Sequence, residues 1–374
     1  TYQAFEGHPS FGTLTLGNGL AAATWTLVDL EDTPRYRLDR FMDHAYRAYD
    51  ADTPAVDYLF DAYLGYRDAL DGQNGAWLTA APLEAGYVSG TGIARVVYET
   101  GSLRITAHWM LPFHHPDGGE GSARVLVMVA HVERVAEDPS LADVSLFSLW
   151  NFHLGGEGDA TNEATAWRDA GYLTEWRGGT RLVYRSLSPE ALHTADNGGH
   201  AHNPWSLVTD GEPFEGYVEA EAGEDLVVGF EDRFGADDAD AWVGLAVGFG
   251  QGMSEQALAA QVDDLIGGRD AKTVLDDELA WWDAWHSVET PPAAATDDER
   301  AVYRQAAAVL KMGQVRETED SGCPSGKCAG QILASLVPGV WTTSWVRDAS
   351  YAILGLLRAG HWDEARAGLT FMLE

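Results

Sequence analysis

The sequence predicts a large all-β sandwich followed by helices, and three observations carry that prediction. From about residue 10 to about residue 250 the apolar residues recur with period two, in runs such as SLRITAHWML, ARVLVMVAHVERV, VSLFSLWNFHLGG, RLVYRSLS, EDLVVGFEDRF and AWVGLAVGFG. Glycine-rich turns separate these runs and no long helix is interleaved, which favours two packed antiparallel sheets over an α/β fold. From SEQALAAQVDDLI at residues 254–266 onward the period changes to about 3.6, the helical repeat.

Taken in chain order, one stretch breaks the two-residue rhythm: DRFMDHAYRAYD, residues 39–50, reads as a helical or loop excursion. The helical pattern continues through TVLDDELAWWDAWHSV at 273–288, and PPAAAT at 291–296 is a proline-led connector. DDERAVYRQAAAVLKMGQVRE then reads as a helix with Asp297 or Asp298 at its N-terminal end, complementing the dipole. A later helix, DASYAILGLLRAG, is ended by Gly360, and WDEARAGLTFMLE starts another with Ala365, Leu369 and Leu373 on one face. The predicted domains are a sandwich over 1–268, a helical linker over 269–296 and a helical segment over 297–374 with no evident way to close its own core.

The chain has 374 residues and 45% hydrophobic content, enough to bury sizeable cores without disulfides or metals. A formal charge of −34 repels phosphate, so nucleic acid and anionic lipid are poor partners. No apolar run has the length of a membrane span and the first residues carry no signal-like segment, so a cytosolic protein or a removed signal is expected, with no membrane insertion. The two cysteines, Cys323 and Cys328, bracket CPSGKC, where Pro324 and Gly326 permit a tight turn. A loop disulfide is preferred over two free thiols, and it leans the localisation towards a periplasmic or extracellular setting.

WTTSWVRDASYAILGLLRAGHWDEA, residues 341–365, concentrates the chemistry. Arg347 and Asp348 offer a planar donor fork beside a two-oxygen acceptor, a pairing suited to adjacent sugar hydroxyls. Trp341 and Trp345 supply apolar walls for the C–H face of a ring. The competing reading makes Asp348 the N-cap, Arg347 its surface partner and the tryptophans core. Other candidates are weaker. His200 and His202 could share a strand face as metal ligands, and Glu231, Asp232 and GADDADAW at 235–242 could bind calcium, but solvated turns are the default for both, and no cofactor is expected. Glu317, Glu319 and Asp320 read as a solvated charge cluster.

In context, a β-sandwich, the Trp-rich AWWDAWHSV, VYRQAAAVLKMGQ, a long loop and then WVRDASYAILGLLRAGHWDEA, the sequence resembles bacterial members of the glucoamylase family of glycoside hydrolases. The residues matching that family's signature are Trp345, Arg347, Asp348, Ala349, Tyr351, Gly360, Glu364 and Ala365. The resemblance implies an all-β super-sandwich followed by the first helices of an (α/α)6 barrel, incomplete over 297–374. It also implies that Arg347 and Asp348 hydrogen-bond the non-reducing terminal glucose of an oligosaccharide or polysaccharide while Trp345 lines the pocket. Trp341 stands where the family commonly has a tyrosine near the nucleophilic water, and an indole cannot relay a proton through a hydroxyl.

Inverting hydrolysis needs two carboxyl groups about 6.5–9.5 Å apart. In the family both are glutamates well downstream of W-x-R-D, so no catalytic residue is assigned in this chain. The expectation is one part of a longer exo-acting, inverting glucosidase, with the rest of the barrel beyond Glu374 or on a second chain. The alternatives are a phosphorylase or trehalase-like relative, and a non-catalytic carbohydrate-binding or structural surface protein on the same scaffold.

Overall fold

The computed structural model describes residues 12–374 apart from 31–32, 45–55, 70–71, 136–139, 157, 189, 220–222, 236–237, 319–327 and 338–342. Two antiparallel sheets, of eight and nine strands, form a sandwich, and helices follow them in sequence as expected. The inner faces meet in one core in which Leu38, Leu64, Trp150 and Phe230 of the first sheet oppose Ile105, Met128, Val247 and Tyr184 of the second. Trp109 and Trp150 meet edge to face at 5.6 Å.

The second sheet is buried on both faces at its centre. In strand Val125–Arg134, Leu126, Met128, Ala130 and Val132 enter the sandwich core, while Val125, Val127 and Val129 enter a second core beneath helices. This explains the unbroken run VLVMVA, since a strand covered on both sides has no polar face to alternate with. The covering helices are α2 (Glu255–Ile266) and α3 (Ala271–Trp285), through Leu258, Val262, Leu275 and Trp282; Ala308 and Met312 of α4 (Asp297–Met312) join them. A short helix, α1 (Pro204–Asp210), packs on the first sheet through Val208. Each fully buried large apolar side chain contributes about 1.5–3 kcal/mol. Gly248 lies opposite α2, where a Cβ would run into the Val262 side chain, so the helix seats only on a glycine there.

Caps set the helix boundaries. Ser254 accepts from Ala257 N–H, Asp270 from Thr273 N–H, and Thr296 with Glu299 forms a reciprocal capping box that starts α4 at Asp297. Gly360, at φ 100°, ends α5 (Val346–Ala359) in the left-handed conformation and leads into α6 (Trp362–Leu373). Ile332, Leu356 and Ala365 form a small buried cluster with Leu310 and Ile353. On the expected face of α6 only Ala365 is buried, and Leu369 and Leu373 are exposed.

Two local expectations change. Asp39–Met42 continues strand Thr33–Met42 instead of breaking it, and 45–50 lies outside the described residues. Glu317 is not solvated: it is fully buried and accepts from Arg124 at 3.0 Å, with His44 Nδ1 at 2.8 Å. Glu319 and Asp320 lie outside the described residues. Among the described residues no helix is long and apolar enough to cross a membrane.

Candidate functional site

Trp345 is the N-cap residue of α5, with extended backbone at φ −113° and ψ 133°, and its side chain does not cap the helix. Arg347 and Asp348 occupy the first turn. The Arg347 Nη2 donates to both Asp348 carboxylate oxygens at 3.3 Å, with the guanidinium 80% exposed. Asp348 therefore pairs with Arg347 instead of capping the helix, and a carboxylate at the positive end of the dipole is well placed electrostatically. Trp345 is half-exposed. All three residues lie at the N-terminal end of α5, with Trp345 and Arg347 exposed and Asp348 paired with Arg347. Trp341 lies outside the described residues.

A polar clasp joins α4 and α6 to the sandwich. Lys311 Nζ, buried, lies 2.7 Å from Glu120 of the sandwich and 2.9 Å from Glu364 of α6. Its ammonium also lies 5.5–5.9 Å from the ring centroids of Phe113, Trp281 and Trp285, close enough for cation–π attraction. Trp285 donates its indole N–H to Glu364 at 2.8 Å. Burial pushes the Glu364 carboxyl up, but Lys311 and Trp285 outweigh it and hold the group below the usual carboxylate range. The Glu364 of the sequence signature is thus an anchor between layers. The Trp-rich linker is structural in the same way: Trp281 stacks on Phe113 at 4.9 Å and Trp282 is buried edge-on to both.

Glu278 of α3 completes the junction. It accepts the amide protons of Phe113 and His114, and complete burial pushes its carboxyl up to about 7. Cys328 is disulfide-bonded and buried, while Cys323 lies outside the described residues.

The weaker sequence candidates do not converge. His200 is an exposed neighbour of Asp196, whereas His202 stacks on Tyr217 at 4.0 Å. Glu231 is buried against Ser145, the Phe214 amide and Arg233, and Asp232 is pushed up to about 7 by burial, so both are committed internally. A polar cleft of about 210 Å³ on the sandwich is lined by Arg37, Asp39, Arg40, Asp57 and His153, but Arg37 is already paired with Asp39 and Asp61. One cluster was missed: among the described residues, His286, Glu289 and His361 gather their donor atoms within 4.8 Å. The H-x-x-E spacing at 286–289 was the available signal, but its third member lies 72 residues on.

No protein-family model and no curated protein matches the sequence. Solved structures do. A bacterial glucoamylase complexed with acarbose superposes with a TM-score of 0.64 at 13% identity, over 99% of this chain and 50% of that one. A family GH92 inverting mannosidase from Bacteroides thetaiotaomicron VPI-5482 (10% identity, 79% of this chain, 35% of that one) and another GH92 glycosyl hydrolase (11%, 94% and 45%) each give a TM-score of 0.44. The chain thus spans about half the length of the glucoamylase it matches, and over that half it shares that structure's fold, a β-sandwich followed by part of a helical domain.

Proposed function

We propose that this chain supplies the sandwich and the substrate-binding edge of an exo-acting, inverting glucosidase acting on α-linked glucans or oligosaccharides. The observation that carries the reading is the side-by-side display of Trp345, Arg347 and Asp348 on the open N-terminal edge of α5, in a fold like that of an acarbose-binding glucoamylase. Arg347 and Asp348 would exchange their mutual contact for adjacent hydroxyls of the terminal sugar, and Trp345 would cover its C–H face. The acid and base belong to further barrel helices, either later in the same protein or on a second chain. Val346, Tyr351, Leu354 and Trp362 are exposed apolar residues of α5 and α6, which supports such a partner. The disulfide at Cys328 supports an extracellular or periplasmic setting.

The test is glucose release from maltooligosaccharides by the natively isolated protein, whose intact mass defines its chains. Arg347→Ala is expected to lower kcat/KM by at least about 10-fold, the loss of one charge-assisted hydrogen bond at about 1.5–3 kcal/mol. Unchanged glucose release in that variant refutes the subsite. Strict dependence on phosphate would assign a phosphorylase instead, strict preference for one disaccharide a trehalase-like enzyme, and sugar binding without hydrolysis a non-catalytic binding protein.

A further inference from the structure

The cluster His286, Glu289 and His361 joins the turn after α3 to the start of α6. His286 begins the short 3-10 turn after α3, Glu289 follows that turn, and His361 is the N-cap residue of α6. All three side chains are almost completely buried, with 1–3% exposure. Glu289 Oε1 lies 2.6 Å from His286 Nδ1 and 3.0 Å from His361 Nε2.

Proton counting makes this arrangement informative. His286 Nε2 lies 2.6 Å from the Gly90 carbonyl oxygen, which can only accept, so Nε2 carries the proton. His286 Nδ1 then faces Glu289 Oε1 at 2.6 Å. A proton shared along that line, or a metal ion bound by both atoms, can hold them together. A proton on Nδ1 would satisfy this one contact but leave Glu289 Oε2, which is buried with no hydrogen-bond partner. A divalent ion would use Nδ1, Nε2 and both carboxylate oxygens together. The Nε2–H bond to a backbone carbonyl is the outer-shell partner that metal-binding histidines ordinarily have. Trp285, stacked on His361 at 3.6 Å and 8°, fixes the second imidazole.

We propose that His286 Nδ1, the Glu289 carboxylate and His361 Nε2 bind one divalent transition-metal ion, zinc by the chemistry of the donors, at the junction between the sandwich and the helical segment. Two imidazoles and a carboxylate are borderline donors that suit zinc over calcium or magnesium. Ligand atoms about 2.0–2.1 Å from a tetrahedral zinc lie about 3.3 Å from one another, so the two nitrogen-to-Oε1 distances of 2.6 and 3.0 Å lengthen by less than about 1 Å, within a donor set that spans at most 4.8 Å. Through the Gly90 carbonyl the ion also engages the sandwich. The site does not depend on the glucosidase reading.

Cobalt(II) titration of the chelator-treated natural protein, followed by its visible d–d bands, tests the site without reference to activity. One cobalt per chain, displaced by zinc, is expected. Glu289→Gln and His361→Gln should each weaken binding by at least about 10–100-fold, and His200→Ala, at the exposed surface, should leave it unchanged. Failure of the unsubstituted protein to bind one equivalent overturns the proposal whether or not the variants fold. Full binding retained by folded Glu289→Gln and His361→Gln proteins overturns it as well. In either case a proton, and not a metal, bridges the cluster.

Discussion

Removing Lys311 should open the helical end of the molecule before it disturbs the sandwich. Deleting one partner of a buried ion pair costs about 3–5 kcal/mol, because the other charge stays behind without compensation. In Lys311→Met, Glu120 is partly exposed and keeps Arg316 at 2.9 Å, so it contributes little to that penalty. Glu364, with a side chain only 14% exposed, keeps the Trp285 N–H. The lower end of the range, about 3 kcal/mol, therefore applies and corresponds to about 150-fold in an opening equilibrium. Amide hydrogen exchange along α6 is the assay, since backbone amides there report local opening directly. Exchange about 150-fold faster in α6, with sandwich amides unchanged, is expected. Combining Lys311→Met with Glu364→Gln should recover about 2 kcal/mol, since the stranded charge is gone. An acceleration below about 3-fold, or strictly additive effects of the two substitutions, would refute an electrostatic clasp.

Arg134 and Asp68 form an ion pair at 2.9 Å with both side chains fully buried, so Asp68→Ala should cost about 3–5 kcal/mol, read as a shifted urea midpoint. Glu278 is raised to about 7 when folded, while the unfolded chain releases the same proton near the ordinary glutamate value of 4.5. Its contribution is thus fully present below about pH 4.5 and declines by about 3 kcal/mol as the pH rises to about 7. Urea titrations across that window should show the decline, and Glu278→Gln should flatten it; a slope unaltered by the substitution would assign it to other groups. Gly360→Ala should destabilise the α5–α6 turn by at least about 1–2 kcal/mol, since φ is 100° and a Cβ would press on the Val288 carbonyl oxygen, and circular dichroism melting checks it.

The two-sheet order and the change to helices were legible because period two and period 3.6 are properties of neighbouring residues. The double burial of Val125–Arg134 was written in VLVMVA, although alternation was the simpler reading of the longer stretch. Glu317 was misread because its partners, His44 and Arg124, are far away in sequence, and a carboxylate in a polar loop looks solvated until they are placed. The cluster of His286, Glu289 and His361 was hidden for the same reason. The W-x-R-D segment was legible as a motif, and the structure adds that Arg347 engages Asp348 on an exposed helix edge.

The second sheet's outer core has a consequence for how the protein is made. Its strands leave the ribosome before the helices that cover them, so Val125, Val127, Val129, Val183 and Ala246 face the solvent until α2, α3 and α4 follow. At about 5–20 residues per second, synthesis from the last strand to the end of α4 takes about 3–12 s. During that interval the nascent sandwich presents an apolar sheet face of the kind that holdase chaperones bind. Slowing translation across residues 252–312 should therefore increase aggregation of the newly made chain, while slowing it after α4 should not.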